Sequence, residues 1–276
     1  MPIIATNNTA QASLLYLNRN SAAQSHDLSQ LASGSQITSA KDDASGLAVA
    51  TGMASDASVL QQGATNLQNG TAVLNTADGA LSNISDILTR MKTLTAQAES
   101  GSSSTADLGY INDEYSQLMG QISSISSNTN FNGTALLDGQ ASYSNGTGVN
   151  FMVGTRSTDT LQVKLSAADT TTLGINGTSI TSPTSASSAM DLLTTAIQTI
   201  SGDRAQVGAQ LSAMSFQSSV ISTSLQNLNS AKSAISDVDI AQVQSHFSTD
   251  QTMTSAAVSA LSDSNQMNQQ LLKLLG

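Results

Sequence analysis

The residues able to do chemistry in this chain are few. The two histidines, His26 and His246, are the side chains that change charge near neutral pH, and they lie far apart in sequence. Two histidines cannot by themselves build a multi-histidine metal centre. Cysteine is absent, which excludes a thiol nucleophile, a disulfide framework and a cysteine-based zinc site. No Gly-x-Ser-x-Gly elbow, Walker A loop, His-Glu-x-x-His or EF-hand loop occurs. The nearest approach to a glycine-rich phosphate loop is Gly146-Thr147-Gly148. It lacks a third glycine and follows a turn signal, so it reads as a hairpin tip. His26 falls on a polar helix and is expected to be solvated; His246 is similar, with the added option of titrating inside an assembled interface. Asn-x-Ser/Thr sequons such as Asn132-Gly133-Thr134 coincide with turn dipeptides, and turn chemistry accounts for them. No catalytic residue, cofactor or metal is expected.

The composition points the same way. Over 276 residues, aromatics make up 3% and charged residues 10%, and tryptophan is absent. A compact enzyme of this size would use more aromatic bulk in its core. A chain rich in Ala, Ser, Thr, Asn, Gln and Leu suits thin cores of helix on helix. The net charge of −10 argues against nucleic acid, where a basic footprint is needed. No apolar run is long enough to insert in a membrane. The opening MPIIATNNTAQASLLYLNRN carries no basic region ahead of an apolar one, so any export is expected to use a route other than Sec.

The elements that position these residues are mainly helical. The only prolines are Pro2 and Pro183, which permits very long helices. Leu14, Leu17, Leu28 and Leu31 form a weak stripe interrupted by Ser21 and Gln24, with a break at Ser33-Gly34-Ser35. Leu60, Leu67, Leu74, Leu81 and Leu88 recur every seven residues, joined by Ala77, Ile84 and Met91, and predict a coiled-coil-like helix over 44–99. A turn at 100–104 leads to a helix over 105–128, whose stripe is Leu108, Ile111, Tyr115, Leu118, Ile122 and Ile125; the short connection predicts antiparallel packing. From 131 to 180 the dipeptides Asn132-Gly133, Asp138-Gly139, Asn145-Gly146 and Asn176-Gly177 bracket short strand-like runs, predicting one or two β-hairpins. Residues 181–188 read as a loop, and the Ser/Thr-rich stretch 166–188 is expected to face solvent because no stripe is visible in it. Helix resumes over 190–236, with Val207, Leu211, Met214, Ile221, Leu225, Leu228 and Ile235 at helical spacing. Asp237-Val238-Asp239 is a break. The last segment carries Val243, Phe247, Ala257, Leu261, Leu271 and Leu275 among polar residues. Both terminal helices are weakly amphipathic and need partners, in each other and in other subunits.

Several motifs then carry a family resemblance. Leu28-Ser29-Gln30-Leu31-Ala32-Ser33-Gly34, followed by Ile37-Thr38-Ser39-Ala40-Lys41-Asp42-Asp43-Ala44-Ser45-Gly46-Leu47-Ala48, is similar to the N-terminal signature of bacterial flagellins, departing from it at Ala32 and Gln36. Asn130-Phe131-Asn132-Gly133, Leu136-Leu137-Asp138-Gly139, Arg204-Ala205-Gln206-Val207-Gly208-Ala209 and Ile235-Ser236-Asp237-Val238-Asp239-Ile240-Ala241 also resemble that family. The resemblance implies a structural subunit that self-assembles into the helical filament used for motility. It implies a D0 domain from 1–42 and 237–276, with Leu14, Leu17, Leu28, Leu31, Val243, Phe247, Leu261, Leu271 and Leu275 packing in the filament core. It implies a D1 domain over 43–236, with helices 44–99, 105–128 and 190–236, a β-hairpin region at 131–180 and a surface loop at 181–188. The D1 seam is expected at Leu60, Leu67, Leu74, Leu81, Leu88, Leu211, Leu225 and Leu228. Implied partners are other copies of the chain, an export chaperone, and cap and hook-associated proteins, with secretion through the flagellar type III channel. The family's Toll-like receptor 5 contact maps onto Arg90, Leu94 and Glu114; the bland reading leaves Arg90 solvated and makes Leu94 an extension of the Leu88–Met91 seam. The alternatives are a hook–filament junction protein with similar termini and, in a different class, a carbohydrate-binding surface protein.

Overall fold

The computed structural model describes residues 7–100, 103–140 and 142–275, of which residues 271, 272, 274 and 275 are described by backbone alone. The side chains of Leu271 and Leu275, expected in filament-core packing, therefore lie outside the described residues. The order is α1 (Asn8–Ser33), α2 (Ala44–Glu99), α3 (Thr105–Asn128), β1 (Asn130–Phe131), β2 (Thr134–Ala135), β3 (Val149–Met152), β4 (Thr160–Val163), α4 (Pro183–Ser236) and α5 (Ile240–Leu275). The chain is thus mainly α, with long helices toward both ends and a small β-region in the middle. It forms two compact units. One joins the first part of the chain, up to Ser55, to the part from Asn227 onward; the other is Asp56–Gln226. The division falls inside α2 and α4.

In the second unit the seven-residue repeat on α2 forms the core. Leu60, Leu67, Leu74, Leu81 and Leu88 are all buried. A second line three residues on reads Gly63, Gly70, Ala77, Ile84, Met91 and Ala98, also buried. Its first two members are glycines, which hid them from a search for apolar side chains. A Cβ on Gly63 would stand 3.2 Å from the main chain of Val153, and one on Gly70 would stand 2.4 Å from Cε of Met214. The seam therefore narrows where the β-region and α4 approach. On α4 the deepest line is Ala186, Leu193, Ile200, Val207, Met214 and Ile221, again every seven residues. Leu211, Leu225 and Leu228, expected in the seam, are half-buried. Asp78 accepts from Arg204 Nε at 2.9 Å and Thr71 Oγ1 lies 3.6 Å from Met214 Sδ, so α2 and α4 run antiparallel. Tyr115 on α3 is fully buried, its hydroxyl 2.7 Å from that of Thr178.

Three expectations for the middle of the chain are corrected. Residues 181–188 are not a loop, because α4 begins at Pro183. Proline is favoured at the first helical position, where its missing N–H costs nothing. Ser182 and Ser185 cap that end reciprocally: the Ser185 amide donates to Ser182 Oγ at 3.2 Å and the Ser182 amide to Ser185 Oγ at 3.1 Å. The stretch 166–180 does not simply face solvent either, since Ala168, Thr170, Leu173, Ile175 and Ile180 are buried. Its backbone is tied in by bonds from the Ala168 amide to the Leu137 carbonyl (2.9 Å) and from the Ile180 amide to Asn112 Oδ1 (3.0 Å). An irregular segment can bury side chains at unequal intervals, which leaves no period to detect. Finally, Gly146-Thr147-Gly148 is not a hairpin tip. The β3–β4 pair is joined through residues 153–159, closed by the Val153 amide on the Asp159 carbonyl at 2.9 Å, and β1–β2 turns at Asn132-Gly133.

The glycine line can be tested directly. Gly63→Leu forces a side chain against Val153 main chain, and overpacking of this kind costs about 1–3 kcal/mol. The thermal midpoint of the full chain by far-UV circular dichroism should fall by about 2–12 °C. Gly79→Ala, at an exposed position of α2 with open space around the place of a Cβ, should leave the midpoint unchanged or raise it. Equal behaviour of the two variants would remove the close approach from the account.

Candidate functional site

Within the first unit α1 and α5 pack antiparallel. At one end Asn7 caps α1 by accepting from the Ala10 amide at 3.0 Å, and the same side chain donates to the Ser264 carbonyl at 3.3 Å and accepts from Ser264 Oγ at 3.0 Å. At the other end Ser35 pairs with Asp237, the Gln36 amide reaching the Ser236 carbonyl at 2.7 Å and the Val238 amide the Gly34 carbonyl at 3.2 Å. Gly34 makes the turn out of α1 with φ +69°, a conformation glycine adopts without steric cost.

The seam of this pair is thin and half polar. Ser13, Leu17, Asn20, Gln24, Asp27 and Leu31 are half-buried on α1, and Val243, Phe247, Asp250, Thr254, Ala257, Leu261, Ser264 and Asn268 on α5. Of the residues expected to pack in the filament core, Leu17, Leu31, Val243, Phe247 and Leu261 enter this seam. Leu14 and Leu28 do not: they are 44% and 56% exposed. Leu15 and Tyr16 on α1, and Ile240, Met253, Val258 and Met267 on α5, are likewise exposed. The uncovered apolar surface of these two helices is therefore larger than their own pairing accounts for.

The connection from α1 to α2 is built by two adjacent aspartates. Asp42 Oδ2 accepts from the Thr38 amide (3.1 Å), the Thr38 hydroxyl (2.8 Å) and the Ser39 amide (2.8 Å). Its other oxygen lies 3.3 Å from His26 Nε2. The Thr38 hydroxyl and the Ser39 amide are the main reasons its carboxyl is held well below the usual carboxylate range. Asp43 stands one residue before α2 and accepts from the Ser45 and Gly46 amides at 3.0 and 2.9 Å, which makes it the cap of that helix and lowers its pKa in turn. A Cβ on Gly46 would meet the Asp43 carboxylate and Ile37, so this turn also needs its glycine. An Asp directly before a long helical pattern is a capping signal, and Asp43 was legible on that ground. His26 is exposed, as expected, and it also lies beside Asp42. It and His246 both line one cavity of about 310 Å³, with Asp27, Gln30, Gln36, Asp239 and Gln242, a meeting that spacing alone could not show. No group of three or more His, Cys, Asp or Glu able to hold a metal occurs among the described residues.

In the second unit Arg90 donates through Nε and Nη2 to Glu114 Oε1 at 2.9 and 2.7 Å, in an exposed ion pair joining α2 to α3. Leu94 is 3% exposed and belongs to the core. Leu94, one helical turn beyond Arg90, thus extends the buried Leu88–Met91 seam beside the exposed Arg90–Glu114 pair.

The family model described as the bacterial flagellin N-terminal helical region matches residues 4–142, and the one described as the bacterial flagellin C-terminal helical region matches residues 190–275. The chain belongs to the flagellin family. Among curated flagellins, that of Halalkalibacterium halodurans is 31% identical, with 90% of each chain covered. That of Bacillus subtilis is 31% identical over 96% of this chain and 97% of its own. The flagellar filament 33 kDa core protein of Treponema phagedenis is 30% identical over 99% of both. Among solved structures, Bacillus cereus flagellin is 34% identical, with a TM-score of 0.51, over 56% of this chain and 88% of its own. A putative flagellar hook-associated protein from Vibrio parahaemolyticus shares the fold at 14% identity, with a TM-score of 0.60, over 71% of this chain and all of its own. The Asp42–Asp43 turn lies inside the N-terminal flagellin match. Residues 143–189, with β3, β4 and the buried irregular stretch, lie between the two matched regions.

The Asp42 turn makes a pH prediction. Its pKa is depressed in the folded chain, so its contribution to stability is present above the ordinary carboxylate value and is lost as pH falls through the folded value. Asp42→Asn should lower the urea midpoint near neutral pH, and the gap to the parent should close on acidification below about pH 4. A gap that stays constant with pH would contradict the role given to this carboxylate.

Proposed function

We propose that this chain is a non-catalytic subunit that polymerises into the flagellar filament through its terminal helices, adding neighbouring copies to the apolar surface that α1 and α5 leave uncovered. The observation that carries this reading is the placement of Leu14 and Leu28. They stand exposed two heptads apart on α1, while Asn20, Gln24 and Asp27 occupy the intramolecular seam. A helix pair whose seam is half polar and which leaves leucines outside gains more from further partners than from its own closure. In this reading the terminal unit is the inner, D0-like layer, and the unit formed by 56–226 is the D1-like layer. The same reading takes secretion through the flagellar type III channel into the extracellular filament, with an export chaperone and cap and hook-associated proteins as transient partners. No helix among the described residues is long and apolar enough to cross a membrane.

Leu28→Asp tests it. A carboxylate forced into a packed apolar contact is too costly to desolvate unless it is paired or takes up a proton. Because Leu28 is exposed in the isolated chain, the variant should keep the circular dichroism spectrum and melting midpoint of the parent, yet form no sedimenting filaments under conditions in which the parent does. Leu28→Met should assemble. Filaments of ordinary length from Leu28→Asp, seen by electron microscopy, would remove α1 from the assembly surface.

A further inference from the structure

The tripeptide Asn-Gly-Thr occurs four times in this chain, at 69–71, 132–134, 145–147 and 176–178. Asn-Gly is the dipeptide in which an amide side chain is least shielded from the following backbone nitrogen, because glycine adds no Cβ. With the two following residues identical, the differences in reactivity among the four are set chiefly by their surroundings in the fold.

Those surroundings differ sharply. Asn69-Gly70-Thr71 lies inside α2, with Gly70 buried and the Thr71 hydroxyl donating to the Leu67 carbonyl. Asn132-Gly133 forms the β1–β2 turn with both residues at positive φ, and Thr134 is held in the strand pair opposite Phe131. At 176–178 the Thr178 amide is already engaged by the Ile175 carbonyl at 3.2 Å, and the Asn176 amide by the Thr170 carbonyl at 3.1 Å. Asn145 alone of the four has a side-chain carbonyl that accepts from the amide two residues on, Thr147 N–H to Oδ1, at 3.0 Å. This Asx turn draws the side-chain carbonyl back over the Gly146 backbone. It is fixed from both sides: Ser144 Oγ accepts from the Gly139 amide at 3.1 Å, and the Thr147 carbonyl accepts from Gln162 Nε2 at 2.9 Å. Asn145 and Gly146 themselves are exposed, and Gly146 has φ +88° with nothing near the place of a Cβ.

We propose that Asn145 is a self-modifying site, converting spontaneously through a succinimide to aspartate or isoaspartate. The Gly146 nitrogen forms a bond to Asn145 Cγ and gives up its proton. The Thr147 N–H stabilises the oxygen of the tetrahedral intermediate, as a preorganised donor does in acyl transfer. The Cγ–Nδ2 bond then breaks, and Nδ2 leaves as ammonia carrying the proton. Water opens the ring at Cγ to give aspartate, or at the main-chain carbonyl to give isoaspartate, with no change of oxidation state. Either product adds one negative charge to a groove already lined by Asp138 and Asp169, and isoaspartate also lengthens the backbone ahead of β3.

The test follows deamidation at all four sites in the native full-length chain. The chain is held at mildly alkaline pH in isotopically heavy water, and proteolytic fragments are sequenced by mass spectrometry. A strengthening of that hydrogen bond by about 0.7–1.4 kcal/mol as the oxyanion develops corresponds to about a threefold to tenfold gain in rate. Asn145 should convert at least about threefold faster than Asn132 or Asn176, Asn69 should stay intact, and the four rates should converge in denaturant. Thr147→Pro removes the donor while keeping Asn145-Gly146, and should cancel the advantage; Asn145→Gln should abolish conversion at that position. Asn145 reacting no faster than Asn132 and Asn176 in the native chain would overturn the proposal, as would an advantage that survives denaturant or the loss of the Thr147 amide.

Discussion

The heptad register of α2 is the constraint on which the larger unit depends. Its two buried lines, one of leucines and one running from Gly63 through Ala77 to Met91, present a groove at one end and bulk at the other. Where the line is glycine, the main chain of Val153 and the thioether of Met214 can approach the helix directly. Where it is isoleucine and methionine, the space is filled without such an approach. The matching seven-residue line on α4, from Ala186 to Ile221, lets two long antiparallel helices stay in register, as coiled-coil seams do. With only four phenylalanines and four tyrosines, the chain has little aromatic bulk with which to correct a misfit. Close packing along this seam therefore has to come from the backbone distances that glycine and alanine permit.

The terminal unit works by a different balance. Its seam includes Asn20, Gln24, Asp27 and Asp250, and much of its definition comes from polar links: Asn7 with Ser264 at one end and the Ser35–Asp237 bridge at the other. Hydrogen bonds fix direction and register but add only modestly to net stability. A pair held this way is well defined and weakly held, and it leaves apolar side chains exposed on both helices, the surface that the proposed assembly would cover. The Asp42 and Asp43 turn serves the same end, since it spends two carboxylates on closing a short connection and starting α2 at a fixed residue.

Within the larger unit, residues 164–182 show how an irregular segment can belong to a core. Gln210 brackets Lys164, accepting from its amide at 2.9 Å and donating to its carbonyl at 2.8 Å. The Thr170 carbonyl takes two amides, and Asn112 takes the amide of Ile180. With the backbone satisfied by these partners, Leu173, Ile175 and Ile180 can be buried without regular secondary structure.

Spacing alone determined a great deal here. The leucine heptads marked α2, the unbroken stripe from Leu108 to Ile125 marked α3, and the Asn-Gly and Asp-Gly dipeptides between 131 and 180 marked where the chain turns. The motifs around Asp42-Asp43 and Asp237-Val238-Asp239 carried the family. Periodicity reports which residues share a face of a helix, because that depends only on local geometry. It does not report which face finds a partner. Leu14, Leu17, Leu28 and Leu31 look alike in sequence, yet only Leu17 and Leu31 turn toward α5, and Leu94 looks like a surface neighbour of Arg90 while lying in the core. The glycine half of the α2 seam, the burial of 166–180 and the pocket that His26 and His246 share were likewise decided by tertiary structure. In each case the deciding contact joins residues distant in sequence, and a single chain read in one dimension carries no signal of that distance.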